Sequence, residues 1–201
     1  DINYIDPKAS SASELVYRLI PREKMDAQIA EALYIGIIHD TGVLQYSNTS
    51  PDTLRAAADL VAFGFDFNRL IDETFYEKTY LQTQLLGRAL LESVLFMDGK
   101  CVVSVMTRNV MDFYGAVSHD LEGIVSQLRN IKGVECAIFL YETGEQEYKV
   151  SMRSNGNVDV ASVASMFDGG GHVRAAGCTM KGNSHQIINS LSLYIERQLK
   201  K

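Results

Sequence analysis

Hydrophobic positions follow helical spacing in the first third of the chain. Apolar residues recur at intervals of three and four in three segments there, which predicts three helices. Ser11 and Glu14 form a capping-box pattern before the first segment, and Ser50 precedes Pro51 where the third begins. The second segment ends in residues 33–38, which are apolar enough for a buried strand, although the spacing before them favours a helix.

The pattern changes further along the chain, where short apolar runs alternate with helical stretches. A long stretch over residues 66–94 reads as helical and is expected to connect the two parts. The segments predicted after it are strands over 101–106, 135–141 and 147–153, a short strand ending at 180, and helices over 120–130, 160–167 and from 184. Strands mixed with helices at this spacing predict an α/β or α+β domain built on one sheet.

Composition and cysteine usage narrow the class of protein. The chain has 201 residues, 46% of them hydrophobic and 22% charged, as in ordinary globular domains. No apolar run approaches the roughly 18 to 20 residues that span a bilayer, so no membrane association is expected. Cys101, Cys136 and Cys178 are far apart and odd in number, which favours buried reduced thiols and a cytoplasmic protein.

Charge is distributed unevenly between the two parts. Residues 1–76 carry 12 acidic and 6 basic side chains, whereas residues 77–201 carry 13 of each. The sequence contains no run of Lys and Arg residues, so it lacks the charge pattern of proteins that bind long nucleic acid. A short anionic ligand remains compatible with this distribution.

The segment from Asp168 to Gly177 is the strongest candidate for a ligand site. Gly169, Gly170 and Gly171 are consecutive and are followed by His172. Three glycines in a row are entropically costly, so we expect a turn whose peptide N–H groups form a nest for a phosphate or carboxylate. A flexible surface turn with an incidental histidine is the alternative.

Asp40 is the second candidate, because it ends an apolar segment and is followed by Thr41 and Gly42. A carboxylate at a helix C-terminus is unfavourable without a cation, and one at a strand end lies where ligands collect. Both cases suit a Mg²⁺ or Mn²⁺ ligand, while an Asp that caps a turn is the alternative. Asp-Thr-Gly also occurs in aspartic proteases, but there it lies in an all-β lobe, unlike the helices expected here.

Two further residues are weaker candidates. Arg153 ends the strand predicted over 147–153, just before Asn155-Gly156, and an Arg held there can bind phosphate through two hydrogen bonds. His39 adjoins Asp40, but neighbouring residues need not face the same way, so a packed or exposed histidine is expected instead.

Together these motifs resemble the DHH-family phosphoesterases with their associated C-terminal domain, particularly the nanoRNase and pAp phosphatase branch. The motifs that carry the resemblance are Asp6-Pro7 with residues 9–14, residues 36–42, residues 46–49, residues 149–154 and residues 169–177. The resemblance implies a mixed α/β fold divided into the C-terminal portion of the catalytic domain (1–76), a helical linker (77–95) and the associated substrate-binding domain (96–201).

The resemblance also implies a manganese-dependent enzyme, with Mg²⁺ as an alternative, that cleaves short oligoribonucleotides or 3′-phosphoadenosine 5′-phosphate. By this resemblance Asp40 matches a family metal ligand and is expected to be a catalytic residue. Arg153, Ser154, Gly169, Gly170, Gly171 and His172 match the side that binds the substrate phosphate. The sequence does not decide the oligomeric state, and a homodimer is compatible with it.

The sequence departs from the family pattern because the upstream His-x-Asp-x-Asp and Asp-His-His motifs do not occur in it. We therefore expect it to be the C-terminal part of a longer protein, inactive as a fragment. A non-catalytic nucleic-acid-binding module is the second hypothesis, and an aspartic protease is the third.

Overall fold

A computed structural model describes residues 3–200, which divide into two compact units with bounds Asp1–Glu77 and Lys78–Lys201. The mixed α/β class that the sequence predicts is confirmed. Among the described residues, no helix is both long and apolar enough to cross a bilayer.

The first unit is helical. Its helices are α1 (Ala12–Leu19), α2 (Ala27–Asp40), α3 (Pro51–Val61) and α4 (Phe67–Ile71), with a 3₁₀ turn (Arg22–Lys24) and a π-helical turn (Asp72–Tyr76). Ser11 caps α1, and Ser50 forms a capping box with Thr53 at the start of α3, as polar N-caps do. The core lies between α2, α3 and α4, where Ile37, Ile38 and Leu60 are fully buried.

The stretch that the sequence predicted as one linking helix is broken after Tyr76. Glu77 to Thr79 are extended, and α5 (Tyr80–Leu91) begins afresh with Thr79 and Gln82 as its capping box. Helix α5 buries Leu85 and Ala89 in a core of the second unit. It is therefore part of that unit, rather than a linker over residues 77–95.

The second unit is built on one six-stranded sheet. Its strands are β1 (Val94–Phe96), β2 (Cys101–Met106), β3 (Cys136–Gly144), β4 (Glu147–Ser154), β5 (Gly170–His172) and β6 (Ala175–Lys181). They lie in the order β1-β2-β3-β4-β6-β5, with β2 and β3 parallel and all other neighbours antiparallel. The remaining helices are α6 (Arg108–Tyr114), α7 (Ile124–Arg129), α8 (Val160–Ser165) and α9 (Ser184–Leu199), and a 3₁₀ turn (Ser118–Leu121) precedes α7.

Helices cover the two faces of this sheet unequally. Helices α8 and α9 pack across one face, against side chains from β2, β3, β4 and β6. On the other face, α5, α6 and α7 pack over β2 and β3. Among residues 78–200, the half of that face formed by β4, β6 and β5 is open except where α7 reaches β4.

Several elements differ from those that the sequence predicts. The helix expected over 120–130 is divided at Gly123, which has a φ of +84°, and only residues 124–129 are α-helical. Strand β1 and helix α6 were not predicted. The glycine segment, expected as a turn, forms strand β5 and part of the approach to it.

Candidate functional site

Strand β4 sorts its side chains by face. Tyr148, Val150 and Met152 are buried against α8 and α9. Lys149, Ser151 and Arg153 alternate with them and are exposed or half-buried. Because successive side chains in a strand point to opposite faces, these three polar residues lie on the open half of the sheet.

The strand register adds His172 and Gly170 to the same face. Arg153 pairs with Ala175, which pairs in turn with His172. In the neighbouring row, Ser151 pairs with Gly177, which pairs with Gly170. Paired residues share a face and adjacent strands lie about 4.8 Å apart, so Arg153 and His172 stand about 10 Å apart on either side of a small alanine.

The structure explains the presence of glycine differently at Gly169, Gly170 and Gly171. A Cβ on Gly169 would lie 2.3 Å from the carbonyl oxygen of Gly177, and one on Gly171 would lie 2.4 Å from that of Ala175. A Cβ on Gly170 would meet nothing within 4 Å. Gly169 and Gly171 are therefore explained by close packing against β6, whereas Gly170 keeps the open face free of a side chain.

The peptide groups of this segment are arranged as a strand edge and not as the nest we expected. Asp168 ends the turn after α8 with a φ of +54°, a conformation that Asp tolerates better than most residues. Strand β5 then pairs with β6 on one side only and is the last strand of the sheet. One side of its backbone is therefore not used by another strand, which leaves peptide groups for a ligand.

Arg153 and Ser154 are adjacent but lie on opposite faces. Arg153 is half-buried, and its Nη1 donates a hydrogen bond to the carbonyl oxygen of Met152 at 3.0 Å. Ser154 is fully buried, and its hydroxyl oxygen accepts from the backbone N–H groups of Gly156 at 3.0 Å and Val158 at 3.3 Å. Ser154 thus shapes the loop after β4, and we leave it out of the binding face despite the sequence prediction.

A groove of about 240 Å³ borders this open face. Its helical side is formed by the 3₁₀ turn and α7, through Ser118, Leu121, Glu122, Gly123 and Val125. Its sheet side is formed by Phe139, Tyr141, Lys149, Ser151 and Arg153. The groove combines aromatic and apolar surface with two cations, which suits a ligand that is part flat and part anionic.

In the first unit, Asp40 is the last residue of α2 and is exposed. The chain then turns sharply, because Gly42, Val43 and Leu44 have φ angles of +56°, +57° and +63°. Left-handed backbone at a β-branched residue is rare, and each such residue costs about 1–3 kcal/mol. Strain of this kind clusters at functional sites and supports the choice of Asp40 as one.

Hydrogen bonds hold the backbone of Asp40 in place. Asn48 donates from Nδ2 to the carbonyl oxygens of both Asp40, at 3.1 Å, and Ser10, at 2.9 Å. Thr41 is fully buried and donates from its hydroxyl to the carbonyl oxygen of Ile37 at 2.6 Å. The end of α2 is therefore tied to the loop that precedes α1.

That loop depends in turn on Glu14, whose side chain is buried. Its carboxylate accepts from the Ser10 N–H at 3.0 Å, the Ser10 hydroxyl at 2.5 Å, the Thr53 hydroxyl at 2.8 Å, and the Arg18 guanidinium. Burial opposes ionisation of Glu14, but these donors outweigh it and hold its pKa below the ordinary value of 4.5. Glu14 is thus an ionised hub that joins α1, α3 and the loop bonded to Asn48.

The described residues do not complete a metal site around Asp40. Residues 3–200 contain no cluster of three or more His, Cys, Asp and Glu side chains that could hold an ion. Mn²⁺ and Mg²⁺ take about six, mainly oxygen, ligands, so Asp40 could supply one of several. His39 is engaged elsewhere, because its Nε2 lies 3.0 Å from the Thr74 hydroxyl and its ring contacts Phe75 edge-on.

The position of Asp40 also bears on the protease alternative. Asp40-Thr41-Gly42 closes a helix in a helical unit, whereas the aspartic proteases carry this triplet in an all-β lobe. The fold therefore gives that alternative no support.

Sequence reasoning missed several residues that the structure brings to these two regions. Lys149 and Ser151 share the face of Arg153, and the period-two alternation of β4 could have identified them. Glu14 and Asn48 lay inside the quoted motifs but received no role. Tyr141 and Glu122 reach the groove only through packing of the 3₁₀ turn and α7 against the sheet, for which the sequence carries no local signal.

Curated relatives resemble the chain over most of its length. The bifunctional oligoribonuclease and PAP phosphatase NrnA of Thermus thermophilus is 34% identical over 184 residues, which is 90% of this chain and 54% of the relative. NrnA of Bacillus subtilis is 28% identical over 185 residues, covering 90% of this chain and 58% of the relative. The chain therefore spans a little over half the length of these proteins.

A solved structure supports the same relationship. An exopolyphosphatase-related protein from Bacteroides fragilis matches with a TM-score of 0.91 and 27% identity, over 100% of this chain and 61% of that one. The resemblance to DHH-family phosphoesterases with their associated C-terminal domain, drawn from the motifs, is confirmed by the relatives and by the domain match given next.

The family match covers the unit that carries the open face. Residues 98–200, just over half of the chain, match the DHHA1 domain, and they include Arg153, the three glycines and His172. The chain therefore belongs to the DHHA1 domain family.

Proposed function

We propose that the open face of the second unit binds the substrate phosphate of a phosphoesterase. The substrates we propose for the whole protein are short oligoribonucleotides, 3′-phosphoadenosine 5′-phosphate, or both. One observation carries the proposal: the register of β4, β6 and β5 gathers Arg153, Ser151, Lys149, His172 and Gly170 on one face. The names of the curated relatives support the choice of substrate class.

Each residue on this face can make a distinct contact with a phosphate. The Arg153 guanidinium can donate two parallel hydrogen bonds to phosphate oxygens, and Lys149 adds a second positive charge. Ser151 contributes a hydroxyl, and His172 contributes a ring N–H across the Ala175 position. Gly177 and Gly170 are paired and carry no side chains, so the ligand can approach the backbone closely there.

Charge supports a short substrate over a long one. Residues 77–201 carry equal numbers of acidic and basic side chains, 13 of each. Long nucleic acid is bound mainly by neutralising many phosphates with Lys and Arg, and this part of the chain has no surplus of them. The cations of the open face suffice for one or two phosphates.

We propose that a divalent cation, Mn²⁺ or Mg²⁺, completes the catalytic site in the whole protein, with Asp40 as one of its ligands. Such an ion lowers the pKa of a bound water and offsets charge that develops on phosphorus. The contribution of this chain is to hold Asp40 through Asn48 and the strained turn. The described residues do not by themselves form a cluster of three or more ligands for this ion, so Asp40 would be one part of a larger site.

A second candidate function is binding without catalysis. The observation that favours it is that the described residues contain no cluster of three or more His, Cys, Asp and Glu side chains that could hold an ion. Both candidates predict the same ligand on the open face, so binding and turnover have to be measured separately.

The test measures binding of 3′-phosphoadenosine 5′-phosphate to the 201-residue chain by isothermal titration calorimetry. Replacing Arg153 with alanine removes charge-assisted hydrogen bonds worth about 1.5–3 kcal/mol, so the Kd should rise about 10- to 150-fold. Arg55→Ala is the matched control, since Arg55 is exposed in the first unit and forms an ion pair with Asp52 on its own helix. Equal affinity in Arg153→Ala and the parent chain would overturn the proposed face.

Phosphate release with Mn²⁺ present distinguishes the two candidates. We expect the 201-residue chain to bind this ligand without hydrolysing it. Robust turnover by the chain would show that our account of the missing metal ligands is wrong. Absence of turnover in the whole protein of which it is a part would favour the non-catalytic candidate.

A further inference from the structure

The groove beside the proposed phosphate face carries aromatic and aliphatic surface, which does not help to bind phosphate. Phe139 and Tyr141 lie on its sheet side, with ring centroids 6.2 Å apart. Leu121 and Val125 line it from the helical side and, like Phe139, are almost fully buried, so the half-buried Tyr141 offers the more accessible ring. Phosphate gains nothing from aromatic or aliphatic walls, so this part of the groove suits a flat, weakly polar group attached to the anion.

The register places the aromatic wall directly beside the cations. Tyr141 pairs with Lys149, and Phe139 pairs with Ser151, across β3 and β4. Directly opposed residues in antiparallel strands have Cβ atoms about 4.5–5.5 Å apart. A group stacked on Tyr141 would therefore lie one residue spacing from the charge that binds its phosphate.

The two sides of the groove also differ in charge. Lys149 and Arg153 are on the sheet side, whereas Glu122 is on the helical side with its carboxylate 3.2 Å from Nδ1 of His119. A carboxylate accepts hydrogen bonds and repels phosphate. The helical side therefore favours a group with N–H donors, such as the amino edge of a base, and the sheet side favours the phosphate.

We propose that this groove binds the nucleobase of the substrate, with Tyr141 as the stacking platform. The inference rests on the proposed function, because it takes the phosphate to lie on the Arg153 face. The groove has a volume of about 240 Å³, below the roughly 300–1,000 Å³ of pockets that enclose drug-sized ligands. It therefore fits one base and not a second nucleotide. The groove thereby makes the face selective for nucleotides over inorganic or sugar phosphates.

The experiment compares adenosine 5′-monophosphate with ribose 5-phosphate, which carries the same phosphate without a base. Calorimetric titration of the 201-residue chain should give a lower Kd for adenosine 5′-monophosphate. In Tyr141→Leu this Kd should rise about 5- to 150-fold, the range for loss of one base–aromatic stack, while that for ribose 5-phosphate stays unchanged. Tyr141→Phe keeps the ring and should restore the preference.

Phe113→Leu is the matched control, because Phe113 is an exposed aromatic residue that does not line the groove. Equal affinities for the two ligands, both weakened by Arg153→Ala, would overturn the base site and leave the proposed phosphate face standing. Binding of neither ligand would overturn both proposals. A preference for adenosine 5′-monophosphate that Tyr141→Leu leaves intact would overturn the role of Tyr141.

Discussion

The open face of the second unit and the Asp40 turn are two candidate sites that are built in different ways. The face in the second unit is assembled by strand register, which puts side chains from β4 and β5 on one surface. The turn in the first unit is held by a chain of hydrogen bonds that runs from the buried Glu14 through Ser10 and Asn48 to the exposed Asp40. The first is thus secured by backbone pairing, and the second by side-chain chemistry.

Because the two sites are built differently, a substitution in one should leave the other unaffected. The face presents cations, a hydroxyl and bare backbone together, and these are the groups to which our proposal assigns the anion. The turn presents one carboxylate and is incomplete as a metal site within residues 3–200. Substitutions should therefore separate the two regions, by stability in one and by ligand affinity in the other.

The largest effect is expected from Glu14→Gln. Glu14 is 1% exposed and accepts hydrogen bonds from Ser10, Thr53 and Arg18, so removing its charge leaves buried donors without a matched partner. We expect a loss of about 3 kcal/mol in the free energy of unfolding. Urea unfolding followed by circular dichroism measures the loss, and hydrogen exchange shows whether it is confined to residues 3–77.

Glu73→Gln is the control for that experiment. Glu73 is an exposed residue whose carboxylate lies 3.5 Å from Arg69 on the surface, so its loss should change stability by less than about 0.5 kcal/mol. Faster exchange throughout residues 78–200 in Glu14→Gln would show that the two regions are not independent.

A smaller effect, about 2 kcal/mol, is expected from Gly171→Ala. The added methyl group would lie 2.4 Å from the Ala175 oxygen, and Gly171 has a φ of +145°, so strand β5 must shift. Gly170→Ala adds the same methyl group in open space and should change stability by less than about 0.5 kcal/mol. Thermal unfolding of both variants compares them directly.

The same pair of variants sharpens the functional comparison. Gly170→Ala should fold normally yet bind 3′-phosphoadenosine 5′-phosphate several-fold more weakly, because its methyl group occupies the open face. Undiminished affinity in Gly170→Ala would mean that the ligand does not approach the backbone at this row.

The smallest effect is a change in how stability depends on pH. The pKa of Glu14 is lower in the folded chain than its ordinary value of 4.5, so its ionised form stabilises the fold above that value. This stabilisation is lost as the pH falls below 4.5 through the folded pKa. Melting temperatures between pH 7 and pH 3 should therefore converge for the parent chain and Glu14→Gln, and a constant gap would contradict the assignment.

Much of the fold could be predicted because its signals are local. Residues 101–106 were predicted as a strand and form β2, and the Ser50-Pro51 start of α3 was read from the cap. The break before α5 also had a local signal, the Thr79 and Gln82 capping box, which was overlooked within a long helical pattern. Local chemistry therefore fixes where elements start more reliably than periodicity does.

The candidate site was predicted less completely, because its geometry depends on pairing between distant strands. Strand β6 inserts between β4 and β5, and this order brings Arg153 and His172 to one face. The glycines suggested a phosphate nest, but contacts of Gly169 and Gly171 with β6 explain two of them. Ser154 turns away from Arg153 although the two are neighbours in sequence, because β4 continues through both and adjacent side chains in a strand face opposite ways.

The alternation along β4 makes the open face depend on the number of residues in the strand. A substitution changes one side chain, but a change in strand length changes the direction of every side chain beyond it. Inserting or deleting one residue between Lys149 and Arg153 would rotate part of the strand by half a turn. The cations beyond that point would then face α8 and α9, and apolar side chains would face solvent. Residues on this surface can be exchanged one at a time, whereas inserting or deleting a single residue inverts the faces beyond that point unless a β-bulge absorbs the change.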